Sequence, residues 1–81
     1  MKAIVTVMLK DGVLDPQGKA IAHALGTLGF IGVTDVRAGK TIVLDLAETD
    51  AARAQAAAEE MARKLLANTV IESFRVEVRA E

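Results

Sequence analysis

Of the side chains that carry most enzyme chemistry, this 81-residue chain offers one histidine, one serine and no cysteine. The missing cysteine removes a thiolate nucleophile, thiolate metal ligands and any disulfide framework together. His23 needs partners converging from elsewhere to act as a base or ligand, and no His/Asp/Glu cluster stands at ligand spacing around it. It reads as a surface or interface histidine. Ser73 lies in a strand-like run with no nucleophile-elbow glycines beside it. Glu59, Glu60, Glu72 and Glu77 read as solvated faces rather than an acid/base pair. No catalytic residue and no metal site are expected.

Two glycine-bearing stretches remain. "DGVLDPQGKA", residues 11–20, precedes a helical pattern as a phosphate cradle would, but it matches neither the P-loop nor the G-x-G-x-x-G spacing. "VRAGK", residues 36–40, sets Arg37 and Lys40 either side of a glycine, where both cations could reach one acidic surface or simply lie in solvent at a hairpin tip. The residue types leave both readings open.

The elements that must position these groups follow from periodicity and punctuation. "KAIVTVMLK" alternates as a strand, with Ala3, Val5, Val7 and Leu9 on one face and Ile4, Thr6 and Met8 on the other. Both faces are largely apolar, so an uncovered one would need a partner. Asp15 is placed as an N-cap and Pro16 as the first helical residue of a helix to about Leu28, ended by Gly29. Ile21, Ala24, Leu25 and Leu28 share its apolar stripe. Gly18 in its first turn is unfavourable unless another backbone comes close. Val33–Arg37 and Lys40–Ala47 read as two strands of a hairpin turning at Gly39 with positive φ. Thr49 or Asp50 caps an alanine-rich second helix with Ala54, Ala58, Met61 and Leu65 inward and Asn68 at its left-handed stop. A last strand carries Val70, Phe74, Val76 and Val78.

The order strand, helix, strand, strand, helix, strand predicts an α+β, ferredoxin-like split βαβ domain over residues 1–81, with two helices on one face of a four-stranded antiparallel sheet. A single domain of this size buries only about 60 to 70% of its unfolded surface, so its core is marginal and a partner is expected to help. Ten Lys and Arg against eleven Asp and Glu leave a formal charge of −1, and aromatics make up 2%. That balance gives no electrostatic footprint for nucleic acid, no polybasic membrane patch and no stacking platform. The N-terminal apolar run is too short to span a membrane and reads as a strand, so a cytosolic protein is expected. Ile4, Met8 and Val43 are the candidate homodimer interface.

"LKDGVLDPQGKAIAHAL", "LGF", "VRAGK" and "KLLANTVIESF" resemble, in this order and spacing, the PurS family, the small subunit of bacterial and archaeal phosphoribosylformylglycinamidine synthase. The resemblance covers Val5 to Val76. It implies a subunit without an active site of its own that dimerises and bridges a large ATP-dependent amidoligase subunit to a glutaminase subunit. It implies no cofactor on this chain, with ATP and magnesium handled by the large subunit of the purine-biosynthetic complex. The positions that match are Gly12, Val13, Asp15, Pro16, Gln17 and Gly18 at the first corner, Arg37, Gly39 and Lys40 in the hairpin, and Leu65, Leu66, Asn68, Ile71 and Glu72 at the last helix exit. The resemblance implies partner binding at these positions other than Leu65 and Leu66. Thr69 stands where the family usually has proline, and as a β-branched residue it still favours extended backbone.

Two other classes fit the strand order. A stand-alone ACT-type amino-acid sensor would want a glycine-rich turn with an amide-reading Asp or Asn directly after the first strand. An acylphosphatase-like enzyme would want an arginine in the first loop, and "GVLDPQG" has none.

Overall fold

The computed structural model describes residues 1–80 of the chain. Strand β1 (Lys2–Leu9) is followed by helix α1 (Pro16–Thr27), strand β2 (Gly39–Asp45), helix α2 (Ala51–Met61) continued by a π-helical turn (Ala62–Leu66), and strand β3 (Glu72–Arg79). The three strands form one antiparallel sheet in the order β2-β1-β3. Val5 stands opposite Ile42 on one side and Val76 on the other, and Leu9 opposite Glu72.

The even apolar rhythm of β1 buries Ala3, Val5 and Val7 on the face that α2 covers. Their neighbours Ile42, Leu44, Phe74 and Val76 lie on the same face and are half-buried. Asp50 caps α2 by accepting from the Arg53 amide at 2.9 Å. Its inward stripe is Ala54, Ala58 and Ala62, all fully buried, rather than Ala54, Ala58, Met61 and Leu65. Met61 and Leu65 are 40% and 83% exposed. Methyl-sized side chains let the helix sit close to the sheet, and the π-turn, closed by the Ala67 amide on the Ala62 carbonyl at 2.9 Å, inserts a residue that turns Leu66 inward in place of Leu65. No non-glycine residue among those described has positive φ, so Asn68 is not a left-handed stop.

The four-stranded arrangement is not what the chain adopts. Val33–Arg37 forms no strand, and β2 starts at Gly39 itself. Positive φ occurs at Gly12 (+86°) and Gly29 (+98°) but not at Gly39. There is therefore no hairpin turn at "AG". Gly39 faces Met8 in the sheet, where a Cβ would run into the Met8 side chain and approach the Val7 carbonyl oxygen to 2.6 Å.

Nor do both helices cover the sheet. Asp15, Pro16 and the Gly29 stop place α1 as expected, but Gly18 is its only buried residue. An eight-residue strand is about 26 Å long and a twelve-residue helix about 18 Å. Laid end to end they approach the 48 Å long axis of the 48 × 28 × 14 Å molecule, so α1 runs off the end of the sheet as an arm. Ile21 is 38% exposed and Leu28 72%.

Candidate functional site

The chain leaves β1 at Leu9 and must turn, and the three stretches singled out by residue type meet at this turn. The Lys10 amide donates to the Ile71 carbonyl at 2.8 Å, which ties the first corner to the segment before β3. Gly12 takes the positive φ that lets the Val13 amide reach back to the Lys10 carbonyl at 3.1 Å. Asp15 then caps α1, its Oδ1 accepting from the Gly18 amide at 2.8 Å. The other oxygen, Oδ2, accepts from the Ala38 amide at 2.7 Å. One buried carboxylate thus holds both the start of α1 and the approach to β2.

Arg37 closes the same knot. Its Nη1 donates to the Val13 carbonyl at 2.8 Å and its Nη2 to the Lys10 carbonyl at 3.0 Å. The guanidinium fork spans two carbonyls of one loop, a geometry lysine could not reproduce. Gly18 packs against the Val36 carbonyl so tightly that a Cβ would collide with it, which accounts for a glycine in the first turn of a helix. The amides of Gly18 and then Ala38 hold the Asp15 carboxyl below its ordinary value, partial burial opposes them, and the positive Arg37 adds to the lowering.

On the third segment, Glu72 accepts from the Asn68 amide at 2.6 Å, while the Asn68 carbonyl accepts from the Ile71 and Glu72 amides at 3.1 and 2.7 Å. Asn68 Oδ1 accepts from the Val70 amide at 3.2 Å. This network fixes the exit where Thr69 stands.

Gly12, Val13, Asp15, Pro16, Gln17, Gly18, Arg37, Gly39, Lys40, Asn68, Ile71 and Glu72 are therefore gathered at one end of the sheet. The side chains of Asp15, Arg37, Asn68 and Glu72 are spent on the chain's own backbone. Gln17, Lys40 and Glu72 line a shallow pocket of about 250 Å³ together with Leu9 and Gly39. Lys40 and Gln17 are exposed, and among the described residues their side chains make no hydrogen bond or ion pair. Around this end Leu14, Val70 and Ile71 are 67%, 79% and 39% exposed. The arrangement offers apolar anchors with polar groups beside them, the anatomy of a protein-docking surface.

Ile4, Met8 and Val43 lie elsewhere, on the sheet face that α2 does not cover. Ile4 stands directly opposite Val43, while Met8 faces Gly39 at the far end of the pairing. Val43 is 55% exposed and the other two are half-buried. The sequence reading missed the parts played by the Val36, Val13 and Lys10 carbonyls and the Ala38 amide, since backbone groups carry no residue-type signal. The only hint was Gly18. No group of three or more His, Asp or Glu side chains among the described residues is placed to hold a metal, and no helix among them is long and apolar enough to cross a membrane.

A family model described as phosphoribosylformylglycinamidine (FGAM) synthase, PurS, matches residues 2–80. The phosphoribosylformylglycinamidine synthase subunit PurS of Bacillus subtilis is 48% identical over 77 residues, spanning 95% of this chain and 90% of the relative. The crystal structure of Methanocaldococcus jannaschii PurS, one of the subunits of formylglycinamide ribonucleotide amidotransferase, superposes with a TM-score of 0.90 at 40% identity, covering 99% of this chain and 96% of that one. A chain in the structure of PurLQS from Thermotoga maritima matches with a TM-score of 0.85 at 28% identity, covering 94% and 93%.

Proposed function

This chain belongs to the PurS family of phosphoribosylformylglycinamidine synthase subunits, and from that premise we propose that it serves the synthase by docking rather than by chemistry of its own. It is a subunit of the enzyme that makes formylglycinamidine ribonucleotide in purine biosynthesis. It joins a large amidoligase subunit to a glutaminase subunit, as the PurLQS assembly suggests. ATP and magnesium belong to the large subunit. Family membership displaces the stand-alone sensor reading.

The observation that carries the docking role is the gathering of three sequence-distant segments at one end of the sheet, with Gln17 and Lys40 unengaged beside exposed Leu14, Val70 and Ile71. A knot this tightly tied presents those side chains from a fixed backbone, which lowers the entropic cost of association. The chain also self-associates, with Ile4, Met8 and Val43 on the open sheet face as one contact surface between copies.

The test is glutamine-dependent synthase activity of the reconstituted complex, titrated with wild-type chain or with Gln17→Ala/Lys40→Ala. The variant should melt like wild type and require at least tenfold more chain for half-maximal activity. Superimposable titrations would remove the docking role from this end.

A further inference from the structure

Lys40 is a cation that its own chain leaves unanswered, although two carboxylates line the same notch. It stands directly opposite Val7, so its side chain lies on the sheet face that carries Val7 and Leu9. Glu72 stands opposite Leu9 on the far strand, and two strand spacings and two residues set its Cα about 12 Å from that of Lys40. Its Oε1 is turned to the Asn68 amide at 2.6 Å. Asp15 is buried, both its oxygens are taken by the Gly18 and Ala38 amides, and the positive Arg37 beside it answers its charge. The notch of about 250 Å³ among these groups therefore has an apolar floor of Val7 and Leu9, an ammonium on the β2 wall and the carboxamide of Gln17 on the α1 wall.

We propose that this notch receives the carboxylate of an aspartate or glutamate side chain from another subunit of the synthase, paired with Lys40 Nζ and accepting from the Gln17 carboxamide. The inference rests on the docking role proposed above and names the chemistry by which the partner is recognised. An ammonium–carboxylate hydrogen bond is stronger than a neutral one, and it strengthens further as the incoming surface closes over the apolar floor and excludes water. The chain's own acids point to a different chain as the donor. Among the described residues every Asp and Glu side chain except Asp11 already accepts a hydrogen bond or ion pair within its own chain. A second copy of these residues therefore offers only Asp11 without drawing on a carboxylate already in use.

Two measurements test this on the complex reconstituted from the chain and the other synthase subunits. In the first, glutamine-dependent activity is titrated with Lys40→Arg, Lys40→Met and Lys40→Glu, each checked by its melt. For half-maximal activity Lys40→Arg should need within about threefold of the wild-type amount, Lys40→Met about tenfold more than wild type, and Lys40→Glu about tenfold more again because it sets like charges together. Added salt should weaken the wild-type chain more than Lys40→Met. In the second, the assembled complex is treated with a water-soluble carbodiimide, which activates a carboxylate and leaves as its urea when a neighbouring lysine amine forms the amide. Peptide mass spectrometry should find Lys40 joined to an Asp or Glu of another subunit, and the link should vanish in Lys40→Arg while that complex still assembles. If Lys40→Glu fails to fold, Lys40→Met and the cross-link decide the matter. A Lys40→Met chain that titrates like wild type and gives no such link before substitution, while Leu14→Ser/Val70→Ser is weakened, would overturn the carboxylate and leave docking at this end. Loss in neither variant would overturn both. Links from Lys40 only to Asp11, its own or a second copy's, would overturn the assignment to another subunit.

Discussion

Arg37 and Lys40 flank the same glycine yet should behave oppositely when removed. Arg37→Ala leaves the Val13 and Lys10 carbonyls without their charged donor and should cost about 1.5 to 3 kcal/mol in denaturant unfolding. Lys40→Ala should stay within about 0.5 kcal/mol in the same measurement. A joint substitution of these two would confuse fold with function, which is why, of the pair, Lys40 alone is suited to a docking test. Asp15 supplies the pH dependence. Its carboxyl is held below the ordinary value in the folded chain, so its contribution is complete above the unfolded-chain carboxylate value and is lost as pH falls through the depressed folded one. Asp15→Asn turns an amide N–H toward the Ala38 N–H. It should therefore melt lower than wild type, by a gap constant above about pH 5 that narrows below about pH 4.

At the scale of elements, close approach rather than conformational freedom explains two of the glycines. Gly18→Ala should cost about 1 to 3 kcal/mol because the obstacle is the Val36 carbonyl, which cannot swing aside as a side chain would. Ala58→Leu should cost a similar amount by prising α2 from the sheet, and both are read from chemical denaturation. Local signals were legible in the sequence. The Asp-Pro cap, the Gly29 stop, the Asp50 cap and the alternation of β1 all depend on neighbours in the chain, and each appears where expected. Non-local pairing was not. Val33–Arg37 has strand-like residues but no strand beside it, and nothing in "VRAGK" says that its arginine turns back to carbonyls 24 and 27 residues away. The inward stripe of α2 slipped for the same reason, because alanines bury well only when the sheet comes close enough to meet them.

For the whole molecule, the functional end was legible as three clusters of residue types, but their convergence is a product of the antiparallel register that sets Leu9 opposite Glu72. The fully buried set is small, Val5 and Val7 being the largest side chains in it. If the proposed self-association supplements so small a core, the melting temperature should rise with chain concentration and should rise further when the other synthase subunits are added. A concentration-independent melt by differential scanning fluorimetry would mean that the folded chain needs no company.

The arm has a kinetic consequence as well. Helical amides exchange with solvent at a rate set by local opening, and a helix joined to the body only at its first turn opens without unfolding the sheet. In dilute solution the amides of α1 beyond Gly18 should take up deuterium orders of magnitude faster than those of α2, and covering the arm should slow them toward the rate of the core. The protection of this one helix, followed by mass spectrometry as chain or partner is titrated, would then serve as an internal clock for how long each molecule remains assembled.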